Sequence, residues 1–346
     1  MTSRAIDAVD LSLGWAYAYG KPEISGDFRT EPEDFVVDEF LGFEPSGEGE
    51  HVYLQVQKRN NNTAWVVKLL ARLAGVKPMD VGYCGLKDRN AVTRQWFSIY
   101  LPKGDEPNWS EINDETIEVL KVSRHNKKLR RGTHVCNHFQ IRLRHLSGAL
   151  ASLPDRLATV KKLGVPNYFG EQRFGRGAQN LVRAEELLVD RIKVKNRQLR
   201  GLYISAARSY LFNTVLNERI KGGSWQQLLP GEVPSEAGLA TGPLWGRGRP
   251  LVSEAVAELE QLQISQLQTW CDGLEHVGLD QERRQLQLLS AGFSYQLNDA
   301  DLSLQFALPP GCYATAILRE VCVLREACIA AELGQPKEMP ESGDVV

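Results

Sequence analysis

Apolar and polar residues alternate in three widely separated stretches of this chain, and the block between the last two has a helical pattern instead. The alternating stretches run from Val52 to Val56, from Phe139 to Leu143 and from Leu302 to Leu308. Alternation places every second side chain on one face of a strand, so we expect stretches from both ends of the chain to join one sheet. The pattern predicts an α+β fold in which a helical block interrupts a sheet.

The helical block predicts an inserted domain. With 346 residues, 42% of them hydrophobic, the chain is longer than one ordinary core requires, so two domains are expected. We place a more helical insertion at residues 163–289 and a sheet domain at residues 1–162 together with 290–346. Residues 335–346 have the composition of a flexible tail.

Periodicity and capping residues predict individual helices. One helix is expected within residues 60–75, with Asn62 or Thr63 as its N-cap. The insertion is expected to contain three more, the second of them capped by Ser205. These three span residues 179–191, 205–220 and 253–271.

The composition indicates a soluble cytoplasmic protein. The N-terminus has no basic stretch followed by an apolar run, and no run of about 18 apolar residues occurs. Six cysteines are scattered without a C-x-x-C pair, so neither a disulfide framework nor a four-cysteine zinc site is indicated. His134, Cys136 and His138 alternate like metal ligands, but no fourth partner is evident and no metal is expected.

The charges are distributed unevenly along the chain. The formal charge is only −2, yet no acidic residue occurs from Val119 to Pro154. That stretch contains eight basic residues, which are Lys121, Arg124, Lys127, Lys128, Arg130, Arg131, Arg142 and Arg144. Such a block suits the phosphates of a nucleic acid, and the contacts to an RNA backbone are expected from Lys127, Lys128, Arg130 and Arg131. The alternative is a solvated basic loop.

One aspartate differs from the others in its surroundings. Asp88 lies in GLKDRNAVTRQ, residues 85–95, within a glycine-flanked turn between two strand-like runs. A lone aspartate in such a loop ordinarily bonds to its own backbone. The segment, however, resembles the G-x-K-D-x-x-A-x-T-x-Q signature of the TruD family of tRNA pseudouridine synthases, and every fixed position matches. The resemblance implies that Asp88 is the catalytic nucleophile.

Further elements resemble the same family. A P-E-D-F element ends at Phe35, an N-x-F element contains Asn137 and Phe139, and an F-x-L-P-x-G block contains Tyr313. The resemblance implies that these four side chains form the uridine pocket, where an amide can bond the uracil edge and rings can stack on an extruded base. On composition alone Phe35 is a core residue, and Tyr313 is equally suited to closing the core. Cys136 departs from the pattern, since relatives often have Gly before the Asn.

Four more residues are candidates for supporting the site. A cation beside Asp88 would favour its ionised form, and Arg29 and Lys87 are the two candidates. The family-like segment VPNYFGEQRFG contributes Gln172 and Arg173, which brace the Asp88 loop or contact the RNA backbone. That segment lacks the Gly-Lys-Ser/Thr ending of a nucleotide-binding loop, so we reject that interpretation.

The resemblance implies isomerisation of uridine at position 13 of tRNA. It also implies a catalytic domain built on a mixed, mainly antiparallel sheet with flanking helices, and an inserted domain of the type found in the family. The reaction moves a base on its own sugar, so it needs no metal, nucleotide or redox cofactor, and tRNA is the expected partner. A monomer is expected. Attack on ribose C1′ or on uracil C6 stays open.

Three alternatives also stay open. A non-catalytic RNA-binding protein would keep the pocket without the chemistry, and a synthase of this type can act on a different RNA target. An aspartate-dependent hydrolase would need a second acid to protonate the leaving group, for which Asp34 or Glu171 are the candidates.

Overall fold

A computed structural model describes residues 5–102 and 106–326, and its main feature is one large mixed sheet. The strands of the described part are β1 (Ile24–Phe28), β2 (Phe35–Phe40), β3 (His51–Arg59), β4 (Val81–Tyr83), β5 (Val92–Tyr100), β6 (Ile117–His125), β7 (Cys136–Gly148), β8 (Val165–Pro166), β9 (Thr241–Leu244), β10 (Glu282–Gln285), β11 (Gln287–Leu288), β12 (Ala291–Asn298), β13 (Asp301–Leu308) and β14 (Val323–Glu326). Ten of them form the main sheet, in the order β12-β13-β7-β2-β5-β3-β6, with β1 beside both β7 and β14 and β4 beside β5. Two short pairs, β9 with β10 and β8 with β11, lie outside it.

Strand β7 organises the sheet. It spans thirteen residues and pairs antiparallel with β1, β2 and β13, so it joins the N-terminal strands to the C-terminal ones. Among the described strands, parallel pairing occurs between β1 and β14 and between β2 and β5. The three alternating stretches of the sequence lie in β3, β7 and β13, and the predicted α+β fold with a large mixed sheet is confirmed.

The helices differ from the predicted ones at their ends. They are α1 (Thr63–Leu73), α2 (Leu153–Leu163), α3 (Gln179–Leu188), α4 (Arg197–Lys221), α5 (Glu254–Ile264), α6 (Gln268–Glu275) and α7 (Ala314–Val321). Asn62 caps α1, as one of the two predicted alternatives, because its side chain accepts from Trp65 N at 2.8 Å. The predicted cap Ser205 is wrong, since α4 starts two turns earlier and Asn196 caps it. The helix predicted over 253–271 is two helices separated by a 3₁₀ turn at 265–267.

The apolar residues of the helical block form a core of their own around Phe212 and Trp270, both of which have no exposed surface. Val9 and Leu13 pack in this core, although we placed the first residues with the sheet. The predicted bounds of the insertion stay a prediction, and the expected tail at 335–346 lies outside the described residues. No helix in the described part is long and apolar enough to span a membrane.

Candidate active site

Asp88 lies on the loop of residues 84–91 between β4 and β5, as predicted. Its side chain is 47% exposed, and its Oδ2 atom lies 3.3 Å from a guanidinium nitrogen of Arg29. Arg29 directly follows β1 and has a left-handed backbone, with φ at 59°, which turns the chain sharply after the strand. The expected neighbours Arg29 and Asp88 are therefore in contact, and the carboxylate keeps an exposed side.

Arg29 in turn rests on aromatic rings. Its guanidinium carbon lies 4.7 Å from the centre of the Phe28 ring and 4.4 Å from that of Phe35. The Phe35 and Phe139 ring centres are 5.9 Å apart. Since only 2% of Phe35 and 8% of Phe139 are exposed, Phe35 supports Arg29 from the core. Stacking of either ring on a base stays a prediction and would require these rings to be uncovered.

Two buried polar side chains hold the backbone of the Asp88 loop. Gln95 Nε2 donates to the Gly85 carbonyl at 2.5 Å, and Thr63 Oγ1 accepts from Lys87 N at 3.0 Å. The two side chains also bond each other, with Thr63 Oγ1 donating to Gln95 Oε1 at 3.2 Å. Gln95, the last residue of the sequence signature, thus holds the backbone of the first residue, Gly85, by a hydrogen bond.

A buried lysine lies directly beneath the nucleophile candidate. Lys58, in β3, is 1% exposed, and its Nζ donates to the main-chain carbonyls of Asp88 and Asn61, each at 2.6 Å. Burial lowers the pKa of Lys58 to about 8, although the Asp88 carboxylate raises it and the Lys87 ammonium adds to the lowering. In the described part of the chain this amine has no carboxylate partner. A buried charge without such a partner is costly, so Lys58 is a candidate for positioning the Asp88 loop.

Lys87 pairs with a different acid from the one expected. Its Nζ lies 2.5 Å from Glu39 Oε2, and the two side chains are 6% and 0% exposed. Glu39 also accepts from Trp96 N at 3.0 Å, which ties β2 to β5. Of the two cations proposed to pair with Asp88, the structure therefore selects Arg29, while Lys87 anchors the loop from below.

One group of buried side chains has the spacing of metal ligands. A ligand atom of each of Glu39, Cys84 and His134 lies within 4.8 Å of the others. The Lys87 ammonium already occupies Glu39, and burial raises the pKa of Cys84 to about 12, so that the thiol stays protonated at neutral pH. A protonated thiol beside a lysine is a poor cation site, so we describe the group as a buried polar cluster.

The same cluster orients Asn137. Asn137 Nδ2 lies 3.1 Å from His134 Nε2, and burial lowers the pKa of His134, so the neutral ring can accept from the amide. Asn137 Oδ1 is buried and has no hydrogen-bond partner among the described residues. Cys136 and His138 do not join His134 as ligands, since their Sγ and Nε2 atoms lie 3.5 Å apart outside the cluster. The Oδ1 atom of Asn137 is thus available to accept a hydrogen bond from a ligand.

The structure places Tyr313 in a second group of rings. Its ring centre lies 6.0 Å from that of Phe169, and its hydroxyl accepts from Arg173. Gln172 is exposed on the same short turn as Arg173. The contacts of Arg173 thus go to Tyr313 and Phe169, not to the Asp88 loop, and the pocket role of Tyr313 stays a prediction.

The cations of the basic stretch form two groups, those that pair with a carboxylate and those with no carboxylate pair in the described part of the chain. Arg124, Arg142 and Arg144 pair with carboxylates, at distances of 2.6, 2.6 and 2.7 Å to Glu106, Asp301 and Glu31. Of the remaining cations, Lys121 lies within β6, and the other four lie in the segment between β6 and β7. Lys127, Arg130 and Arg131 are exposed there, and Lys128 Nζ donates to the Met79 carbonyl at 2.7 Å. Phosphate contacts by these four residues stay a prediction.

Of the two acids considered for a hydrolase, Asp34 is poorly placed for proton transfer. Asp34 is 1% exposed, and both its oxygens accept from Arg144 Nε at 2.9 Å. Glu171 is exposed at the start of the short turn that holds Arg173. Asp34 is therefore occupied by a structural ion pair.

A family model described as tRNA pseudouridine synthase D (TruD) matches residues 14–191, 178–238 and 235–321. The chain belongs to the TruD family. It is 52% identical over 320 residues to a tRNA pseudouridine synthase D of Cellvibrio japonicus, which covers 91% of this chain and 94% of the relative. The corresponding protein of Aeromonas hydrophila is 46% identical over 335 residues, covering 90% and 95% of the two chains.

A solved structure has the same fold as this TruD family member. It is the crystal structure of a putative tRNA pseudouridine synthase D (TruD) from Methanosarcina mazei, with a TM-score of 0.66 and 22% identity. The match covers 90% of this chain and 96% of that one. Family membership makes the chain a pseudouridine synthase, an isomerase.

Two residues of the site, Lys58 and Glu39, went unnoticed in the sequence, and His134 was noticed only as a metal-ligand candidate. Lys58 continues the apolar positions Val52, Leu54 and Val56 at the same spacing of two, and a lysine at such a position is a readable signal. Glu39 likewise occupies a buried position of β2, whose alternate residues face the core. His134 precedes the start of β7, so its alternation with Cys136 and His138 does not predict its contact with Asn137.

Proposed function

We propose that this enzyme converts uridine to pseudouridine at position 13 of tRNA, with Asp88 as the nucleophile. The observation that supports this proposal is the environment of Asp88. Its carboxylate is half exposed and paired with Arg29, while buried side chains fix its loop from beneath. A nucleophile needs this combination of access, charge and fixed position. The choice of tRNA and of position 13 rests on the family resemblance.

The reaction requires a single nucleophile and a holding pocket. The bond between uracil N1 and ribose C1′ breaks, the base turns, and C5 bonds to C1′. The proton on C5 leaves and N1 gains one, so atoms and electrons balance without a redox partner. A carboxylate that forms a transient bond to the substrate allows this exchange by dividing one difficult step into two.

The pocket offers a specific contact for the freed base. Asn137 Oδ1 is a buried acceptor that no described residue bonds, and His134 holds the amide so that this oxygen is available. Uracil presents N–H donors, and a donor that bonds Oδ1 removes the cost of leaving that oxygen unpaired. Extrusion of the base costs a few kcal/mol, of the same order as stacking on one or two rings. This supports a role for Asn137 in holding uracil.

Replacing Asp88 by Asn tests the assignment. Release of tritium from tRNA labelled at uridine C5 reports formation of pseudouridine at any position. We expect Asp88→Asn to bind tRNA as the wild type does and to release no tritium. Asp155→Asn on the exposed face of α2 is the matched control and should release it at the wild-type rate. Activity of Asp88→Asn would overturn the assignment.

Two further measurements separate the alternatives. Pseudouridine and uridine have the same mass, so tRNA from cells lacking the protein is first treated with a carbodiimide that labels pseudouridine. Mass spectrometry should then show no label at position 13, and a normal map there would point to another RNA target. Free uracil among the products of the purified enzyme would favour the hydrolase.

A further inference from the structure

Two arginines outside the Asp88 site share one aromatic ring. Arg284 lies in β10, and Arg173 lies in the short turn of residues 171–173 that follows β8. Their guanidinium carbons are 4.2 Å and 5.7 Å from the centre of the Phe169 ring. Arg173 also contacts Tyr313, next to the start of α7, so this place lies where the helical block meets the C-terminal part of the sheet domain.

The partners of both arginines are neutral. Arg284 donates to Asn167 Oδ1 at 2.6 Å and lies 3.9 Å from Cys312 Sγ, while Arg173 donates to the Tyr313 hydroxyl. In residues 5–102 and 106–326 neither arginine is within ion-pair distance of a carboxylate. The Nε atoms of both are buried and have no hydrogen-bond partner in the part of the chain that the structure describes. Each guanidinium therefore keeps unused donors.

The local charge balance is positive. Burial lowers the pKa of Arg284, and the charge of Arg173 adds to the lowering. Burial raises the pKa of Cys312, so the neighbouring thiol is neutral and supplies no negative charge. Two guanidinium groups at a half-buried site without a carboxylate are energetically unfavourable, and a bound anion would remove this cost.

We propose that Arg173 and Arg284 form an anion site that binds a backbone phosphate of the RNA substrate. The planar forks of two guanidinium groups match the oxygens of a phosphate, and Arg is the residue best suited to such bidentate contacts. Exposed lysines bind phosphate as point charges, whereas this site offers directed donors at a fixed position. The choice of RNA as the source of the phosphate rests on the proposed function.

A first test uses inorganic phosphate as the probe. Melting temperature is measured against phosphate concentration at constant ionic strength, with chloride as the balancing ion. We expect a saturable rise for the wild type and for Arg183→Met, whose arginine is already paired with Glu186 at 2.7 Å. The rise should be lost in Arg284→Met. The absence of a saturable rise in the wild type would overturn the site.

A second test measures tRNA binding against salt, with every protein carrying Asp88→Asn so that no turnover occurs. Loss of one phosphate contact should lower the slope of log K against log salt by about 0.7 to 0.9. We expect this loss in Arg173→Met and Arg284→Met, and an unchanged slope in Arg183→Met. An unchanged slope in Arg284→Met, even with the phosphate-dependent rise intact in the wild type, would refute the RNA source.

Folding failure of the Met variants does not block the test. Arg284→Lys keeps the charge but loses the fork, so it should fold, keep most of the slope and bind inorganic phosphate more weakly. Binding by Arg284→Lys equal to the wild type in both assays would overturn the bidentate site. Because the binding assay uses a variant without Asp88, a failure of Asp88 as nucleophile does not alter its outcome.

Discussion

Replacing Lys58 by Met removes a buried charge with little change in side-chain length. Lys58 is 1% exposed and its Nζ donates to two main-chain carbonyls, one of them that of Asp88. In the folded protein burial lowers the pKa of Lys58 to about 8, against an ordinary value of 10.5. That difference makes a specific prediction for how stability depends on pH.

The sign follows from proton binding. Below pH 8 the amine is protonated in both states, and between about 8 and 10.5 only the unfolded chain holds the proton. The contribution of Lys58 to the free energy of unfolding therefore rises with pH through this window and is complete above it. The gap between the two pKa values corresponds to about 3 kcal/mol, of which about 2 kcal/mol accrues between pH 7 and pH 9.5.

Urea unfolding of the wild type and of Lys58→Met at these two pH values measures the effect. Subtracting the two proteins cancels the groups they share, so the wild type should gain about 2 kcal/mol relative to the variant on going from pH 7 to pH 9.5. Lys68→Met, on the exposed face of α1, is the control and should show no such gain. A gain below about 0.5 kcal/mol in the Lys58 pair would refute the reasoning.

The same variant should affect catalysis through the position of Asp88. The variant loses the hydrogen bond from Lys58 to the Asp88 carbonyl, which frees the loop. A displacement of the nucleophile by about 1 Å lowers the rate about 100-fold. We expect kcat for tritium release to fall by about that factor in Lys58→Met, with KM for tRNA unchanged because Lys58 is not exposed to RNA. Equal falls in kcat and in the folded fraction would point to stability alone.

Two other predictions concern ion pairs, one of them fully buried and the other partly exposed. Arg219 and Glu232 are both 0% exposed and 3.0 Å apart, so Glu232→Gln should lower the free energy of unfolding by about 3–5 kcal/mol, and a urea-derived loss below 1 kcal/mol would contradict this. The pair of Arg29 with Asp88 is partly exposed, so Arg29→Met should lower kcat/KM only about five- to tenfold, with Arg29→Lys in between. Tritium release at the wild-type rate from Arg29→Met would show that the pair is catalytically silent.

Local features of the fold were readable in the sequence because they depend on neighbours in the chain. Alternation at spacing two identified β3, β7 and β13, and Asn62 was one of the two caps expected for α1. The position of Asp88 on a loop between two strands followed from short apolar runs on either side. Asn196 and the start of α4 were missed although Leu199, Leu202 and Tyr203 have helical spacing, since Gly201 interrupts the segment before Ser205.

The partners of adjacent residues, in contrast, were decided by the tertiary structure. Lys87 and Asp88 are neighbours in the chain, yet Lys87 turns inward to Glu39 and Asp88 outward to Arg29. The two contacts join residues 48 and 59 positions apart, and they exist because β2 lies between β7 and β5 in the sheet. Periodicity identifies which residues face a core, but strand order and register decide which side chains meet across it. The carboxylate and its loop were therefore visible in the sequence, whereas the contact of Lys58 with the Asp88 carbonyl became visible only in the assembled sheet.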